Sequence, residues 1–306
     1  MTTLLDRDTV RGLLDWPGII GAVREAYRAA AVGDALAPAS SHLDLAAGAL
    51  HLKAGGTRQP ALLSVKANLR PDQAPASGVI LLFDTESTTL RAVLDSADIT
   101  ACRTAAAAAV AARALGAPDG GTLAVLGAGP VAAATLAAFR HELGVRKVHV
   151  WSRSGARARA LDADEVHDEP GAAARAADIV VTCTPSRTPL IGAGDLRAGA
   201  VVCAMGADSP GKRELATDLL EAAEVVSDNL PAARQVGETA ALPADFPGVV
   251  GQIGDLLAGK VTVPGTGRWR VFDSVGVAHA DTAVAAAITM AAERAGLGLV
   301  WTPGND

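Results

Sequence analysis

Thr122-Leu-Ala-Val-Leu-Gly127-Ala-Gly129-Pro130-Val131-Ala132 is the stretch whose reading decides the fold. A short apolar run closed by glycine predicts a buried strand. Pro130 then suits the first turn of a helix, where a missing N–H leaves no intrahelical bond unmade. The segment predicts strand, tight turn and helix, the helix running to about Leu143. Val145–Trp151, with Val148 and Val150 alternating with polar residues, predicts a second strand. Glycine at 127 permits the tight turn, and glycine at 129 lets a phosphate approach the backbone. The helix N-terminus adds free N–H groups and the positive end of its dipole. Ala132 stands where a third glycine is usual, and is still small enough for close helix–strand packing. Gly127, Gly129, Pro130 and Val131 are therefore candidate dinucleotide contacts.

Toward the C-terminus the same alternation continues. A short strand is expected near Val166. Asp178–Thr184 and Ala200–Met205 are near-continuous apolar runs, as parallel strands covered on both faces require. Glu224–Ser227 is a further candidate. Strand–helix alternation over 121–228 predicts a doubly wound α/β sheet. Toward the N-terminus, Gly116–Gly121 breaks the pattern and marks a domain boundary. Before it lie short strands at Ala49–Ala54, Ala61–Ala67, Val79–Phe83 and Leu90–Leu94, which predict an antiparallel or mixed sheet. Thr100–Leu115 is an alanine-rich helix with Asp98 or Thr100 as its cap. Asp15-Trp16-Pro17 opens another helix, with Ile19, Ile20, Val23, Ala26 and Tyr27 at helical spacing and Gly33-Asp34 at its end. The tail Asp281–Ala295 is a long apolar helix expected to return to the first domain.

The composition limits the function classes. With 306 residues, 50% of them hydrophobic and 20% charged, the chain can bury a core. Its 27 basic and 33 acidic residues leave a net charge of −6, with no basic footprint for nucleic acid or an anionic membrane. Aromatics are only 3%, so the core rests on small and aliphatic residues and close helix packing is expected. Cys102, Cys183 and Cys203 are too scattered for a disulfide framework and are expected as buried thiols. No HExxH pair or other metal-ligand spacing occurs, and no metal is expected. No signal pattern is present, and the apolar stretches fall short of the ~18 residues that span a bilayer. A cytoplasmic location is expected.

The chemistry-bearing residues follow from this frame. After the second strand, an acidic residue would bond a ribose hydroxyl and select NAD. Here stand Ser152, Arg153 and Ser154, with Arg157 one turn on; hydroxyls and guanidinium groups suit a 2′-phosphate. NADP(H) is expected, with NAD(H) as the alternative; a solvated basic loop is the bland reading. Thr184, Pro185 and Met205 sit at the carboxyl ends of predicted parallel strands, where α/β cofactor sites gather. Asp208 follows in a Gly/Pro-rich loop where it can meet a substrate amine or iminium, although capping a helix before Pro210 explains it equally well. Arg103 lies in the first turn of its helix and opposes the dipole unless an anion offsets it. A substrate carboxylate would do so; a surface arginine is the alternative. His51, Lys53 and Lys66 share polar strand faces. Two lysines there suit an anionic substrate, while a solvent-facing sheet side accounts for His51 and Lys53 without function.

Five segments stand in a fixed order: Ser64-Val-Lys66; Asp98-Ile-Thr-Ala-Cys-Arg103-Thr104-Ala-Ala; Gly127-Ala-Gly129; Gly206-Ala-Asp208-Ser-Pro-Gly-Lys212-Arg-Glu-Leu; and Asp273-Ser274-Val275-Gly276. In that order they resemble the ornithine cyclodeaminase/mu-crystallin family, over nearly the whole chain. The resemblance implies a Rossmann-type doubly wound parallel sheet, residues 116–272, inserted into an α+β substrate-binding and dimerisation domain made of 1–115 and 273–306. It implies hydride exchange between a nicotinamide and an amino-acid α-carbon, and a homodimer. By position, Lys66 matches a lysine at the substrate carboxylate or reacting centre, and Arg103 a carboxylate-binding arginine. Thr104 matches a cofactor contact, Asp208 the catalytic aspartate, and Lys212 a position near the cofactor. Ser274 and Val275 match the segment lining nicotinamide and substrate.

Three departures point away from ornithine cyclisation. The arginine of cyclodeaminases upstream of the first strand is absent from Ala39-Ser40-Ser41-His42. His51 replaces a glutamate, with Lys53 two residues on, and Ser152-Arg153-Ser154 replaces an acidic NAD-selecting residue. The expected activity is NADPH-dependent reduction of an imine of a small 2-oxo acid, or of a cyclic imino acid. His51 or Lys53 would read the substrate side chain. A cyclodeaminase with tightly bound NAD and a non-enzymatic NADPH-binding crystallin-like protein are the alternatives.

Overall fold

Period-two alternation and helical spacing resolve into two sheets in the computed structural model, which describes residues 1–71, 76–265 and 269–302. The chain divides into two compact units. Unit 1 is Met1–Arg103 with Val277–Asp306, and unit 2 is Thr104–Gly276. Unit 1 opens with β1 (Thr2–Leu5), α1 (Arg7–Gly12) and α2 (Trp16–Ala31). It continues through β2 (Ala39–Leu45), β3 (Gly48–Thr57), β4 (Leu62–Pro71), β5 (Ser77–Asp84) and β6 (Thr89–Asp95) into α3 (Ala97–Ala114). Unit 2 contains β7 (Thr122–Leu126), α4 (Pro130–Leu143), β8 (Lys147–Trp151), α5 (Gly155–Arg159), β9 (Glu165–His167), α6 (Pro170–Arg175) and β10 (Ile179–Thr182). It goes on with β11 (Val201–Ala204), α7 (Thr217–Glu221), β12 (Ala223–Ser227), α8 (Leu230–Val236), β13 (Val249–Gln252), α9 (Ile253–Leu257) and β14 (Trp269–Asp273). The chain re-enters unit 1 as α10 (Ala278–Ala295) and β15 (Leu299–Trp301).

Unit 2 is the doubly wound sheet that the glycine turn announces. Its eight strands run β13-β12-β14-β11-β10-β7-β8-β9. Every pair in it is parallel. The chain winds outward from β7 to β9, then returns beside β7 as β10. The reversal places a crevice at the carboxyl ends of β7 and β10. The core is aliphatic: Leu126, Val180, Val202, Val225 and Val271 of the strands meet Ala173, Ala174 and Ala177 around α6. β13 and β14 were not among the expected strands. β14 lies between β11 and β12 rather than at an edge.

The division between units falls inside α3, between Arg103 and Thr104, not at the Gly116–Gly121 breaker. Packing explains this. Ala105–Ala112 are all buried, and Cys203 Sγ of β11 lies 3.5 Å from the Ala108 carbonyl oxygen. Methyl side chains let that part of the helix lie close to the parallel sheet. At the other junction, Ser274–Gly276 stay with unit 2 because Asp228 binds them. α3 also starts earlier than expected, so Asp98 is its second residue rather than its cap. Asp98 pairs instead with Arg7 and Arg11, each at 3.1 Å. Arg103 therefore lies in the second turn of α3, not the first.

Unit 1 is a mixed sheet of order β15-β1-β6-β5-β4-β3-β2, with β1 parallel to β6 and the other pairs antiparallel. β1 and β2 are elements that the sequence pattern did not show. The expected helix from Asp15 is α2: Asp15 caps it by accepting from Gly18 N at 2.9 Å, and all five spaced apolar residues are buried. α10 packs on α2, β3 and β4. The faces of β4 are inverted relative to a simple polar-out reading. Ser64, Lys66 and Asn68 are buried, whereas Leu63, Val65 and Ala67 are half-buried and Leu69 is exposed. Ser64 Oγ lies 2.8 Å from Thr282 Oγ1 of α10, which donates to the Gly55 carbonyl at 2.8 Å. The solvent-facing reading of this polar face is thus overturned at Lys66; His51 and Lys53 are half-buried on the same face. No helix among the described residues is long and apolar enough to cross a membrane. Thr282→Val strands the Ser64 hydroxyl and the Gly55 carbonyl. It is expected to cost about 1–3 kcal/mol, read as a lower urea midpoint with an unchanged m-value.

Candidate active site

Unit 2 builds a crevice at the carboxyl ends of β7, β8 and β10. Gly127 adopts φ +141°, donates to the Trp151 carbonyl at 2.8 Å, and leaves no room for a side chain. A Cβ there would stand 2.7 Å from Cys183 Sγ. At Gly129, by contrast, a Cβ would meet nothing within 4 Å. The space over that backbone is open, as close approach of a phosphate requires. Pro130 and Val131 begin α4 behind it, and no side chain caps the helix. A cavity of about 500 Å³ lies here. It is lined by Gly127–Gly129, Trp151, Ser152, Arg153, Ser154, Arg157 and the Cys183–Thr188 loop. The open backbone, the helix start and the cationic rim fit a dinucleotide. Three guanidinium groups, of Arg153, Arg157 and Arg187, surround it. Arg187 was not visible as a site residue because its loop carries no spacing signal. Ser154 Oγ also accepts from Arg157 N at 3.4 Å, capping α5.

The loops of this crevice hang on a chain of buried carboxylates that the motifs did not reveal. Asp273 accepts from Glu238 N at 3.0 Å and Thr239 N at 2.8 Å. Glu238 accepts from Glu214 N at 2.7 Å and Leu215 N at 3.2 Å. Glu214 accepts from Thr184 N and Oγ1, both at 2.7 Å, from Thr182 Oγ1 at 2.7 Å and from Gly206 N at 2.8 Å. Gly206 has no room for more, since a Cβ would lie 2.2 Å from the Thr184 carbonyl oxygen. Thr184 and Pro185 are thus set by Glu214. Burial pushes Glu238 up to about 8 and Asp273 up to about 6, against the backbone hydrogen bonds that favour their ionised forms. Asp228 does similar work at the last motif. It accepts from Ser274 Oγ at 2.7 Å, Val275 N at 3.0 Å and Gly276 N at 2.8 Å. Ser274 and Val275 are buried and do not line the crevice; nor does Met205, whose N donates to the Thr182 carbonyl at 2.8 Å.

Asp208 follows β11 as expected. Its Oδ1 lies 2.6 Å from Lys212 Nζ and accepts from Ser209 Oγ at 3.2 Å. Asp208 does not cap a helix: the segment from 208 to 216 is turn and loop. Lys212 lines a second cavity of about 250 Å³ that shares Arg187 with the first. Cys102, Cys183 and Cys203 are free, and burial raises all three thiol pKa values. Cys183 is only half-buried, where it lines the crevice.

Unit 1 holds a second constellation. Lys66 Nζ donates to Asp281 Oδ2 at 2.7 Å, and Arg103 Nε stands 2.8 Å from Asp281 Oδ1. All three are buried. The anion that offsets Arg103 within the chain is therefore Asp281, in the first turn of α10. Lys53 is the cross-strand neighbour of Lys66, and His51 that of Asn68. His51 lies with its Nδ1 3.4 Å from His42 Nδ1. Burial drives Lys66 down to about 7; Asp281 opposes this, and Arg103 and Lys53 add to it. Burial alone would raise Asp281, but Arg103 and Lys66 outweigh it and hold its pKa below the usual carboxylate range. Two buried cations thus face the Asp281 carboxylate. Thr104 follows Arg103 on α3 and is buried. Asp281 escaped notice because it begins what reads as an apolar helix. A lone carboxylate in an alanine-rich run was the available signal.

The model of the ornithine cyclodeaminase/mu-crystallin family matches residues 65–295. The chain belongs to that family. It is an NAD(P)-dependent oxidoreductase of the ornithine cyclodeaminase/mu-crystallin type. Alanine dehydrogenase of Archaeoglobus fulgidus is 30% identical over 307 aligned residues, covering 93% of each chain. Iminosuccinate reductase of Paracoccus denitrificans is 30% identical over 274 residues, 86% of this chain and 83% of that one. A solved archaeal alanine dehydrogenase dimer with bound NAD superposes with a TM-score of 0.90 at 27% identity, covering 97% of this chain and 98% of that one. The α/β fold has a parallel eight-stranded sheet, as the glycine turn and apolar runs predict, and a mixed seven-stranded sheet, as the short N-terminal strands predict.

The carboxylate chain makes stability depend on pH. Folded Glu238 keeps its proton to about 8, whereas its unfolded counterpart releases it near 4.5. Between those values the folded state binds more protons, so this residue's contribution to stability falls as pH rises. In urea unfolding from pH 5 to 8, Glu238→Gln is expected to lose less stability with rising pH than the parent protein.

Proposed function

We propose that this family member is an NADPH-dependent reductase of carboxylate-bearing imines, forming an amino acid from the imine of a small 2-oxo acid or from a cyclic imino acid. The observation that carries the reading is the buried Lys66–Asp281–Arg103 cluster, which brings two cationic side chains together on one buried polar face. Desolvated cations are costly without counter-ions. A substrate carboxylate is a further counter-ion, and Lys66 and Arg103 hold it, Arg103 through its planar fork. Lys53 and His51, on the same sheet face, read the group beyond the α-carbon.

The cofactor reading rests on the rim of the crevice. Ser152 and Arg153 stand where an acidic residue would select NAD, and Arg157 and Arg187 add charge around the same space. Gly127, Gly129 and the start of α4 hold the pyrophosphate, and Thr184 and Pro185 flank it. Lys212 extends the cofactor's surroundings into the adjoining cavity, whereas the buried Thr104, Met205, Ser274 and Val275 support those surroundings without lining the crevice. Bound there, the dihydronicotinamide supplies a hydride to the imine carbon. Asp208 stabilises the protonated C=N nitrogen, and Lys212, 2.6 Å from its Oδ1, fixes its orientation.

A homodimer completes the proposal. The sheet face of unit 1 opposite α10 is apolar but half-covered: Leu43, Leu69 and Val79 are between 40% and 49% exposed. A second copy of the chain is its occupant.

Two measurements test this reading. Tryptophan fluorescence should show tighter binding of NADPH than of NADH, and Arg153→Ala should weaken NADPH about tenfold, one charged hydrogen bond, while leaving NADH unchanged. Equal affinities in the parent protein would return the cyclodeaminase reading, in which ornithine loses ammonia without net consumption of reduced cofactor. The second is a pH profile. With 2-oxo acids plus amines or with cyclic imines, kcat/KM, which reports the free enzyme, should fall as pH rises through about 7, where Lys66 loses its charge. Lys66→Arg should flatten that limb, since arginine stays protonated.

A further inference from the structure

Along the chain, His149, Glu165 and His167 show no ligand spacing, and the proposed reaction does not use them. Parallel pairing of β8 with β9 brings them together. His149 stands opposite Glu165, and Trp151 opposite His167. Side chains alternate along a strand, so Glu165 and His167 share a face with His149. Ala124, opposite His149 on β7, packs in the cluster that contains Ala173 and Ala174 of α6, so the three donors lie on the α6 side of the sheet. His149 Nδ1 is 2.8 Å from His167 Nε2 and 3.5 Å from Glu165 Oε2. His167 Nε2 is 3.7 Å from Glu165 Oε1.

We propose that His149, Glu165 and His167 form a binding site for a divalent transition ion of the zinc class at the β8–β9 edge of the parallel sheet. Zinc bonds to nitrogen and oxygen are ~2.0–2.2 Å, which places tetrahedral donors about 3.3–3.5 Å apart. The imidazole nitrogens lie closer than that spacing, and each stands at or slightly beyond it from a different oxygen of Glu165, so the imidazoles need to part by about half an ångström and the carboxylate to turn one oxygen toward both to admit the ion. Two imidazoles and one carboxylate suit zinc and its neighbours, and not magnesium. Burial and Lys147 lower the His149 pKa, which favours the neutral form that can ligate. The half-exposed Glu165 leaves the fourth position open to solvent. Lys147, 3.6 Å from Glu165, is the competing cation, and it is itself half-exposed and able to swing away. Arg197 is held by Asp178 at 3.3 Å. β9 is the outermost strand, so the ion would clip the sheet's edge. Trp151, beside His167 in the ladder, lines the nucleotide crevice, and the clip therefore stiffens the crevice's rim.

The test is calorimetric titration of Zn²⁺, with Mg²⁺ in parallel, into chelator-treated protein carrying no affinity tag. One equivalent of Zn²⁺ should bind and Mg²⁺ should not. His167→Ala and Glu165→Gln should each weaken Zn²⁺ about tenfold or more while keeping the parent circular dichroism. Bound Co²⁺ should give the visible ligand-field bands of a tetrahedral site, lost in the same variants. Absence of saturable Zn²⁺ binding would overturn the proposal. Undiminished affinity in both variants would do so too, as would loss of binding in His42→Ala, which would place the ion at the His42–His51 pair.

Discussion

The carboxylate of Asp281 ties together three elements that are far apart in the chain. It receives Lys66 from β4 and Arg103 from α3, and itself stands on α10. Such a cluster survives burial only if its geometry is good, because desolvating each ion costs several kcal/mol. The surrounding polar groups match that demand. Ser64 and Thr282 bond to each other one register step away, and Asn68 Oδ1 accepts from Ser96 Oγ at 2.6 Å. The polar face of β4 is therefore the inside of unit 1, and α10 is placed by it. Removing one member would leave the others charged and buried, so the cluster specifies the packing of α10 as well as the local chemistry.

Unit 2 solves a related problem with backbone donors in place of cations. Glu214, Glu238 and Asp228 each accept N–H groups from a loop that follows a strand, and Asp273 accepts them from the turn after α8. Loops at the carboxyl ends of parallel strands are the place where α/β sites form. Here they are held by carboxylates beneath them, and the crevice-lining atoms are left for a ligand. This is a rigid support for a site built on loops, and it explains why glycine is required at 206, where the Glu214 side chain and the Thr184 carbonyl already fill the space.

Much of unit 2 was legible in the sequence because its signals are local. The Gly127–Gly129 turn, the apolar strands and Ser152-Arg153-Ser154 each sit within a few residues, and all fall where the pattern predicts. Unit 1 was legible as strands but not as faces. Alternation at Leu63, Ser64, Val65 and Lys66 identifies two sides of a strand without saying which one faces the core, and the usual assignment puts leucine inside. Here α10 brings Asp281 and Thr282 from more than two hundred residues away and reverses it. Strands as short as β1, and β14 with its charged Arg270, give too brief a pattern to register. Asp281, Glu214 and Glu238 were invisible for the same reason that they matter: a buried carboxylate is defined by donors that only the tertiary fold assembles.

The choice of lysine at 66, beside an arginine at 103, has a physical logic. A guanidinium stays charged at any accessible pH. Two of them around Asp281 would keep two permanent positive charges in a desolvated site. A lysine whose pKa is near 7 removes one of them by releasing a proton when no anion is present. On the proposed reading, an arriving substrate carboxylate stabilises the ammonium and draws the proton back. Anion binding is then coupled to proton uptake in the pH range where Lys66 titrates. The resting protein avoids a second buried cation, the occupied one acquires it against the carboxylate, and Asp281 holds both side chains in place through the change.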